Sequence, residues 1–367
     1  MNKLNYSELS KLIQVNSWTK NKEGVNLCQE IFAKWLKPLG FELKVYKQDS
    51  IGDIYYYISP KKDGKKVLLL GHMDTVFPPG SFEGFREDEE WIYGPGVCDM
   101  KGGLFVAYNA LKKIKDEFDT IYNIDMLIVS DEETGSDISK HITAKVAKEY
   151  DYCLVYEAAG KNLEIVNARK GVGTFFIDIE GKAAHAGNRY KEGIDANLEA
   201  SYKLQHLVAL TNLDKGTTLN VGKIEGGIGA NTISPHAKLT FEIRYTSISE
   251  RDRVLKEIEN IVNRSYVTGT KSTLSGGIQR DVMQPTREQE EFIKKIEDFT
   301  GIKLKTESRG GVSDANIVAS AGVVVLDGFG PYGIGDHTID EKALKSSFIQ
   351  RIDLSYKIFK ALIENRF

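Results

Sequence analysis

Apolar residues recur at helical spacing at Cys28, Ile31, Phe32, Trp35 and Leu36, and the run stops at Pro38 and Gly40. Beyond it the period drops to two: Phe41, Leu43 and Val45, then Ile54, Tyr56 and Ile58, alternate as half-buried strands do. Residues 66–70 and 125–130 read as short buried strands, 102–115 and 138–150 as helices, and 152–156 as another strand. Strands of this kind alternating with helices predict an α/β fold, a largely parallel sheet flanked by helices.

Near residue 169 the texture changes. Residues 172–179 alternate, 194–210 have a helical period, 217–224 and 237–245 read as strands, and 250–263 as a helix. This strand–helix–strand–strand–helix run is α+β in character. After about residue 280 the first texture resumes, with helices over 287–299 and 313–321, a strand over 323–326 and a final helix over 341–363. The boundaries therefore predict one domain from residues 1–168 and 282–367, sharing a single sheet, and an inserted domain over 169–281. The chain shows no internal repeat and no low-complexity segment.

Composition narrows the classes. A chain of 367 residues suits two domains, and 41% hydrophobic residues with 17 Tyr and 16 Phe are enough to build cores, which excludes wholesale disorder. Lys and Arg total 49 against 52 Asp and Glu, a net charge of −3 with no basic stripe, so a nucleic-acid partner held by its phosphates is not expected. The longest apolar stretches are strand-sized, so no membrane span is expected. Residues 1–8 lack the apolar core of a secretory signal, and Cys28, Cys98 and Cys153 form no knuckle or redox pair. A reduced, cytoplasmic protein is the expectation.

Candidate chemistry gathers at strand ends, where open α/β sheets place their ligands. The strand at 66–70 runs into Gly71-His72-Met73-Asp74, and that at 125–130 empties into Asp131-Glu132-Glu133. The strand at 152–156 ends on Glu157, and that at 323–326 leads to a Gly-rich segment ending in Asp336-His337. Between them, Asp99 stands in the turn Gly94-Pro95-Gly96-Val97-Cys98-Asp99-Met100-Lys101-Gly102-Gly103 before a helix. His72 and Asp74, two apart, share a side of an extended segment, the arrangement by which a carboxylate orients a metal-bound imidazole; alone it reads equally as a surface hydrogen bond. Asp99 alone reads equally as a helix cap. Together, His72, Asp99, Glu132, Glu133, Glu157 and His337 suit zinc, cobalt or manganese rather than calcium or an iron–sulfur cluster. Gly328-Phe329-Gly330-Pro331-Tyr332-Gly333 matches a dinucleotide fingerprint, but more glycines and a His follow where a helix should open.

These segments, in this order over nearly the whole chain, resemble the M20 family of di-zinc metallopeptidases, and their wording resembles its glutamate carboxypeptidase branch. The resemblance implies a zinc exopeptidase-like catalytic domain with the insert as a lid and dimerisation domain, and hence a homodimer. It implies that His72 and Glu157 hold one Zn2+, Glu133 and His337 the other, and Asp99 both, with Co2+ or Mn2+ as alternatives. It further implies that Asp74 orients His72, that Glu132 is the general base acting on a water shared by the metals, and that the Asp99–Met100 bond is cis. Adjacent residues of an extended segment point to opposite sides, so Glu132 and Glu133 need not compete for one metal. In the insert, His185, within 181–187, and Asn231, within 229–235, fall in segments that resemble the substrate-facing motifs, His185 being implied to stabilise the oxyanion. A substrate carboxylate needs a cation, for which Arg309 and then Arg280 are candidates, whereas Arg244 reads as a salt-bridge residue.

The expected activity is hydrolysis of an amide bond in short peptides or N-acyl amino acids. The alternatives are deacylation of a biosynthetic intermediate of the acetylornithine or succinyl-diaminopimelate type, and a metal-retaining binding protein without turnover.

Overall fold

The computed structural model describes residues 4–367, which divide into two compact units: residues 4–168 with Pro285–Arg309 and Ser313–Phe367, and Arg169–Gln284 with Gly310–Val312. In chain order the strands are β1 (Glu42–Tyr46), β2 (Ile54–Ile58), β3 (Val67–His72), β4 (Arg86–Glu87), β5 (Trp91–Tyr93), β6 (Ile124–Val129), β7 (Tyr152–Val155) and β8 (Ile165–Arg169). They continue with β9 (Gly171–Glu180), β10 (Thr218–Gly226), β11 (His236–Tyr245), β12 (Lys271–Arg280), β13 (Thr306–Arg309), β14 (Val324–Leu326), β15 (Gly333–Ile334) and β16 (Lys342–Leu344). The helices are α1 (Ser7–Ile13), α2 (Lys22–Leu36), α3 (Lys101–Phe118), α4 (Lys140–Ala147), α5 (Ala196–Val208), α6 (Ile248–Asn263), α7 (Arg287–Thr300), α8 (Asp314–Ser320) and α9 (Lys345–Ile363).

The first unit is built on a six-stranded sheet in the order β1-β2-β6-β3-β7-β14. Strands β6, β3, β7 and β14 run parallel, and the β1–β2 hairpin adds an antiparallel edge. All six residues of β3 are buried. Val67 and Leu69 join the main core with Phe32, Phe105, Phe348 and Phe359, so Leu68 and Leu70 point to the opposite, equally dry face. Burial on both faces is what a continuous Val-Leu-Leu-Leu run requires. Helix α3 packs on α9, and α4 on α8. Helix α8 opens with a capping box in which the Ser313 hydroxyl accepts from the main chain and Asn316 reaches back.

The second unit is an antiparallel sheet in the order β10-β11-β9-β12 with α5 and α6. One face of it, Phe175, Ile177 and Ile179 of β9 with Leu239, Phe241 and Ile243 of β11, packs with Ala200, Leu207, Val254 and Ile258 of the helices.

Three expectations from the sequence are corrected. Strand β12 was not foreseen, because Gly276 and Gly277 interrupt its alternation; at Gly276, φ is +92° and a Cβ would lie 2.3 Å from the Thr174 carbonyl. The last helix begins at Lys345, not 341, because Lys342–Leu344 pair with Trp91–Tyr93 as a strand. Glu132 and Glu133 lie on a 3₁₀ turn, Glu132–Thr134, rather than in an extended segment.

Candidate metal centre

Strand β3 delivers His72 as its last residue, buried at the carboxyl edge of the parallel sheet. Its Nε2 stands 3.1 Å from Asp99 Oδ1 and 3.5 Å from Glu157 Oε1. The other oxygen of the same aspartate, Oδ2, is 3.2 Å from His337 Nε2, which in turn is 3.1 Å from Glu133 Oε2. The structure thus brings together two donor groups, His72–Asp99–Glu157 and Asp99–Glu133–His337, that meet at Asp99. Asp99–Met100 is a cis peptide, and His337 has φ +62°.

Glycines permit this convergence. Helix α3 starts two residues after Asp99, and a Cβ at Gly103 would lie 1.9 Å from the carbonyl oxygen of Tyr156, the residue before Glu157. Only a bare Cα there lets the start of α3 press against the end of β7 and set Asp99 beside Glu157. Asp99 does not cap α3; Met100 occupies the N-cap position, with no side-chain hydrogen bond.

Three residues support the donors from behind. Asp74 is fully buried: its main-chain carbonyl faces His72 Nδ1 at 3.0 Å, while its carboxylate lies 3.4 Å from the same nitrogen. That carboxylate also accepts the Thr19 hydroxyl at 2.7 Å and the backbone N–H groups of Glu132 and Glu133 at 3.3 and 3.2 Å. Asp74 therefore ties the imidazole to the acidic turn. Thr19 was missed by sequence reasoning; nothing in its surroundings marks it, and it is placed by pairing of residues 17–19 with Thr75. Glu341, also missed, is buried and accepts backbone N–H groups from Gly96, Cys98 and Asp99.

Crowding of carboxylates sets the electrostatics. Burial and the charge of Asp99 push Glu157 up to about 8 and Glu133 well above the usual carboxylate range. Burial opposes charge on Asp99, yet hydrogen bonds from His337 and His72 hold it far below the ordinary value. Hydrogen bonds to Asp99 and Glu133 carry His337 up to about 11. His72 is raised too, its carboxylate neighbours outweighing the cost of burial. So much negative charge in a dry place calls for a cation. Mixed imidazole and carboxylate donors, three to a group, fit a zinc-type ion with coordination positions to spare, and are too few and too nitrogen-rich for calcium.

The remaining candidates belong to neither donor group. In the second unit the His185 and Asn231 segments adjoin: His185 bridges Thr232, and the Ala186 N–H donates to the Asn231 carbonyl at 2.9 Å. Nδ1 of His185 accepts from the N–H groups of Gly187 and Asn188, both at 3.2 Å, which leaves Nε2 as its protonated nitrogen. Arg280 is buried at the end of β12. Arg309 ends β13, with Nε donating to Glu307 at 2.7 Å. Arg244 pairs with Glu242 at 2.7 Å and also donates to the Gly310 carbonyl. The three cysteines are free and buried. Among the described residues no helix is long and apolar enough to cross a membrane.

A parallel-rich sheet with imidazole–carboxylate groups joined through one aspartate at its carboxyl edge is the framework of a metallohydrolase. The chain belongs to peptidase family M20/M25/M40, matching that family over residues 68–365, and is an enzyme of the metallopeptidase and amidohydrolase type. It is 29% identical over 359 residues to carboxypeptidase G2 of Pseudomonas sp. (strain RS-16), covering 94% of this chain and 85% of that protein. It is 28% identical over 358 residues to a succinyl-diaminopimelate desuccinylase of Hydrogenovibrio crunogenus, covering 90% and 92%. Its fold matches that of a tripeptidase from Staphylococcus aureus with a TM-score of 0.80 at 22% identity, over 99% of this chain and all of that one.

Proposed function

We propose that the protein hydrolyses an amide bond in short peptides or N-acyl amino acids in the manner of a carboxypeptidase, with two Zn2+ per subunit. The observation that carries this reading is the pair of donor groups sharing Asp99, one oxygen toward each imidazole. His72 and Glu157 would hold one ion, Glu133 and His337 the other, and Asp99 both; Co2+ or Mn2+ suits the same donors. Bound there, such ions supply Lewis acidity that acidifies a water and polarises the scissile carbonyl.

The chain's own residues do the rest. Glu132, outside both donor groups and on the same turn as Glu133, takes a proton from the attacking water and returns it to the leaving amine. Asp74 holds His72 and the acidic turn in register. His185 offers Nε2–H to the oxyanion, and Asn231 beside it binds substrate. The second unit is then a lid, and its edge strand β10, with half-exposed Ile224, supports a homodimer through that edge. Buried free thiols support a reducing, cytoplasmic setting. Similarity to a desuccinylase supports N-acyl amino acids among the substrates, whereas a binding protein without turnover has no need of Glu132.

For the substrate carboxylate we favour Arg309, beside Gly310 and Gly311, over the buried Arg280. A panel of dipeptides, N-acyl amino acids and their C-terminal amides tests both the reaction and this assignment. Hydrolysis is expected of the free acids, and Arg309→Ala is expected to raise their KM about tenfold or more, the scale of a charged hydrogen bond of about 1.5–3 kcal/mol. Equal effects on the amides would remove Arg309 from this role, and no hydrolysis across the panel would remove the reading itself.

Metal uptake is expected to release protons. In the metal-free protein Glu157 is raised to about 8 and His337 to about 11, with Glu133 and His72 raised in the same direction, so these ligands favour holding protons at pH 7 that ligation requires to leave. Affinity should therefore rise with pH through 7 and 8. Calorimetric titration with Zn2+ in two buffers of different ionisation enthalpy should show net release of protons on binding; buffer-independent heats would contradict the assignment.

A further inference from the structure

Glu341 lies in none of the donor groups, yet it is buried within the loops that carry them. Its Oε2 accepts the Gly96 N–H at 2.9 Å, and its Oε1 accepts those of Cys98 and Asp99 at 3.0 and 3.2 Å, with the Cys98 thiol 3.4 Å from the same oxygen. The main chain of Glu341 adds to the tie: its carbonyl accepts from Gly94 N–H at 3.4 Å, and its own N–H donates to Thr338, the residue after His337, at 3.2 Å.

No Lys or Arg forms an ion pair with this carboxylate among the described residues. Its negative charge is met by main-chain donors that belong to a turn, outside any helix or strand, and would otherwise be buried without partners. A surface glutamate or an ordinary salt bridge would look different. Here one side chain closes the 94–99 turn from the inside and roots that turn in the segment that follows His337.

We infer that Glu341 is a positioning residue: it fixes Asp99 against His337 and thereby sets the Asp99–Glu133–His337 group for its metal ion. The inference rests on the metal reading above. The two donor groups differ in how they depend on Glu341. His72 and Glu157 are carried by β3 and the end of β7 and owe it nothing except through Asp99. In the other group both Asp99 and His337 stand on segments that Glu341 joins. Loosening that joint should therefore weaken one ion far more than the other.

Glu341→Gln keeps the shape but turns one of the two accepting oxygens into an N–H2 group facing a backbone donor. Metal-stripped wild type and Glu341→Gln should be titrated with Zn2+ against a chromophoric chelator at constant pH. Wild type is expected to take up two ions. The variant should keep one site within about threefold and lose about 10–100-fold at the other, the usual consequence of removing an outer-shell partner. Wild-type affinity at both sites, or an equal loss at both, would overturn the inference; failure of the wild type to bind any ion would instead remove the metal reading. Should the variant fail to fold, amide exchange in metal-free wild type decides. The N–H groups of Gly96, Cys98 and Asp99 should exchange at least about tenfold more slowly than those of the exposed turn at residues 79–81, and equal rates would overturn the inference.

Discussion

Replacing Glu132 by glutamine is expected to lower kcat by about 10²–10⁴-fold, the range over which a positioned general base contributes, while KM and metal content stay near wild type. The expectation follows from how the acidic turn is built. Both N–H groups of the turn are held by the Asp74 carboxylate, so Glu132 and Glu133 leave it from fixed backbone positions. Glu133 is committed: Oε2 lies 3.1 Å from His337 and belongs to a donor group. Glu132 is buried at the same edge and belongs to neither donor group, the placement of a residue that moves protons rather than holds metal. Glutamine matches it in size and cannot accept a proton, so the variant separates proton transfer from metal binding. Steady-state kinetics on an N-acyl amino acid, with metal analysis of the same preparation, checks this. Turnover within tenfold of wild type would take the role from Glu132, and loss of metal would make it a ligand.

What could be read in advance was set by local pattern. The Val67–Leu70 run is long enough and dry enough to read as a buried strand, and a His placed directly after it points to the carboxyl edge of a sheet. The same reasoning found Glu157 and the acidic turn. Segments whose partners are far away in sequence could not be read. Strands β5 and β16 have three residues each, too few to show a period, and they pair across some 250 positions, so residues 342–344 passed as the start of a helix. Glu341 was lost with them: inside a presumed first turn, a glutamate is an unremarkable helix former. Thr19 follows Trp18 in a stretch without periodicity, and only its pairing beside Thr75 brings its hydroxyl to Asp74. Donors at strand ends announce themselves through the strands that precede them, and the residues that brace those donors carry no such flag.

Asp99→Ala is expected to cost both metal ions, and with them activity. Each donor group falls from three protein ligands to two: His72 with Glu157, and Glu133 with His337. Removal of an outer-shell partner already costs about 10–100-fold in metal affinity, so loss of a direct donor should exceed about 100-fold at each position. The loss is shared because the two oxygens of Asp99 face different imidazoles, Oδ1 toward His72 and Oδ2 toward His337. The metal-free fold should survive, since Asp99 stands in a turn outside any helix or strand and takes no part in the hydrophobic core. Metal analysis after dialysis against trace Zn2+, with circular dichroism to confirm folding, provides the measurement. Folded protein with essentially no bound ion is the expected result. A fall from two ions to one would mean that Asp99 serves a single position and that the two groups are independent sites, and full occupancy would end the case for a shared aspartate.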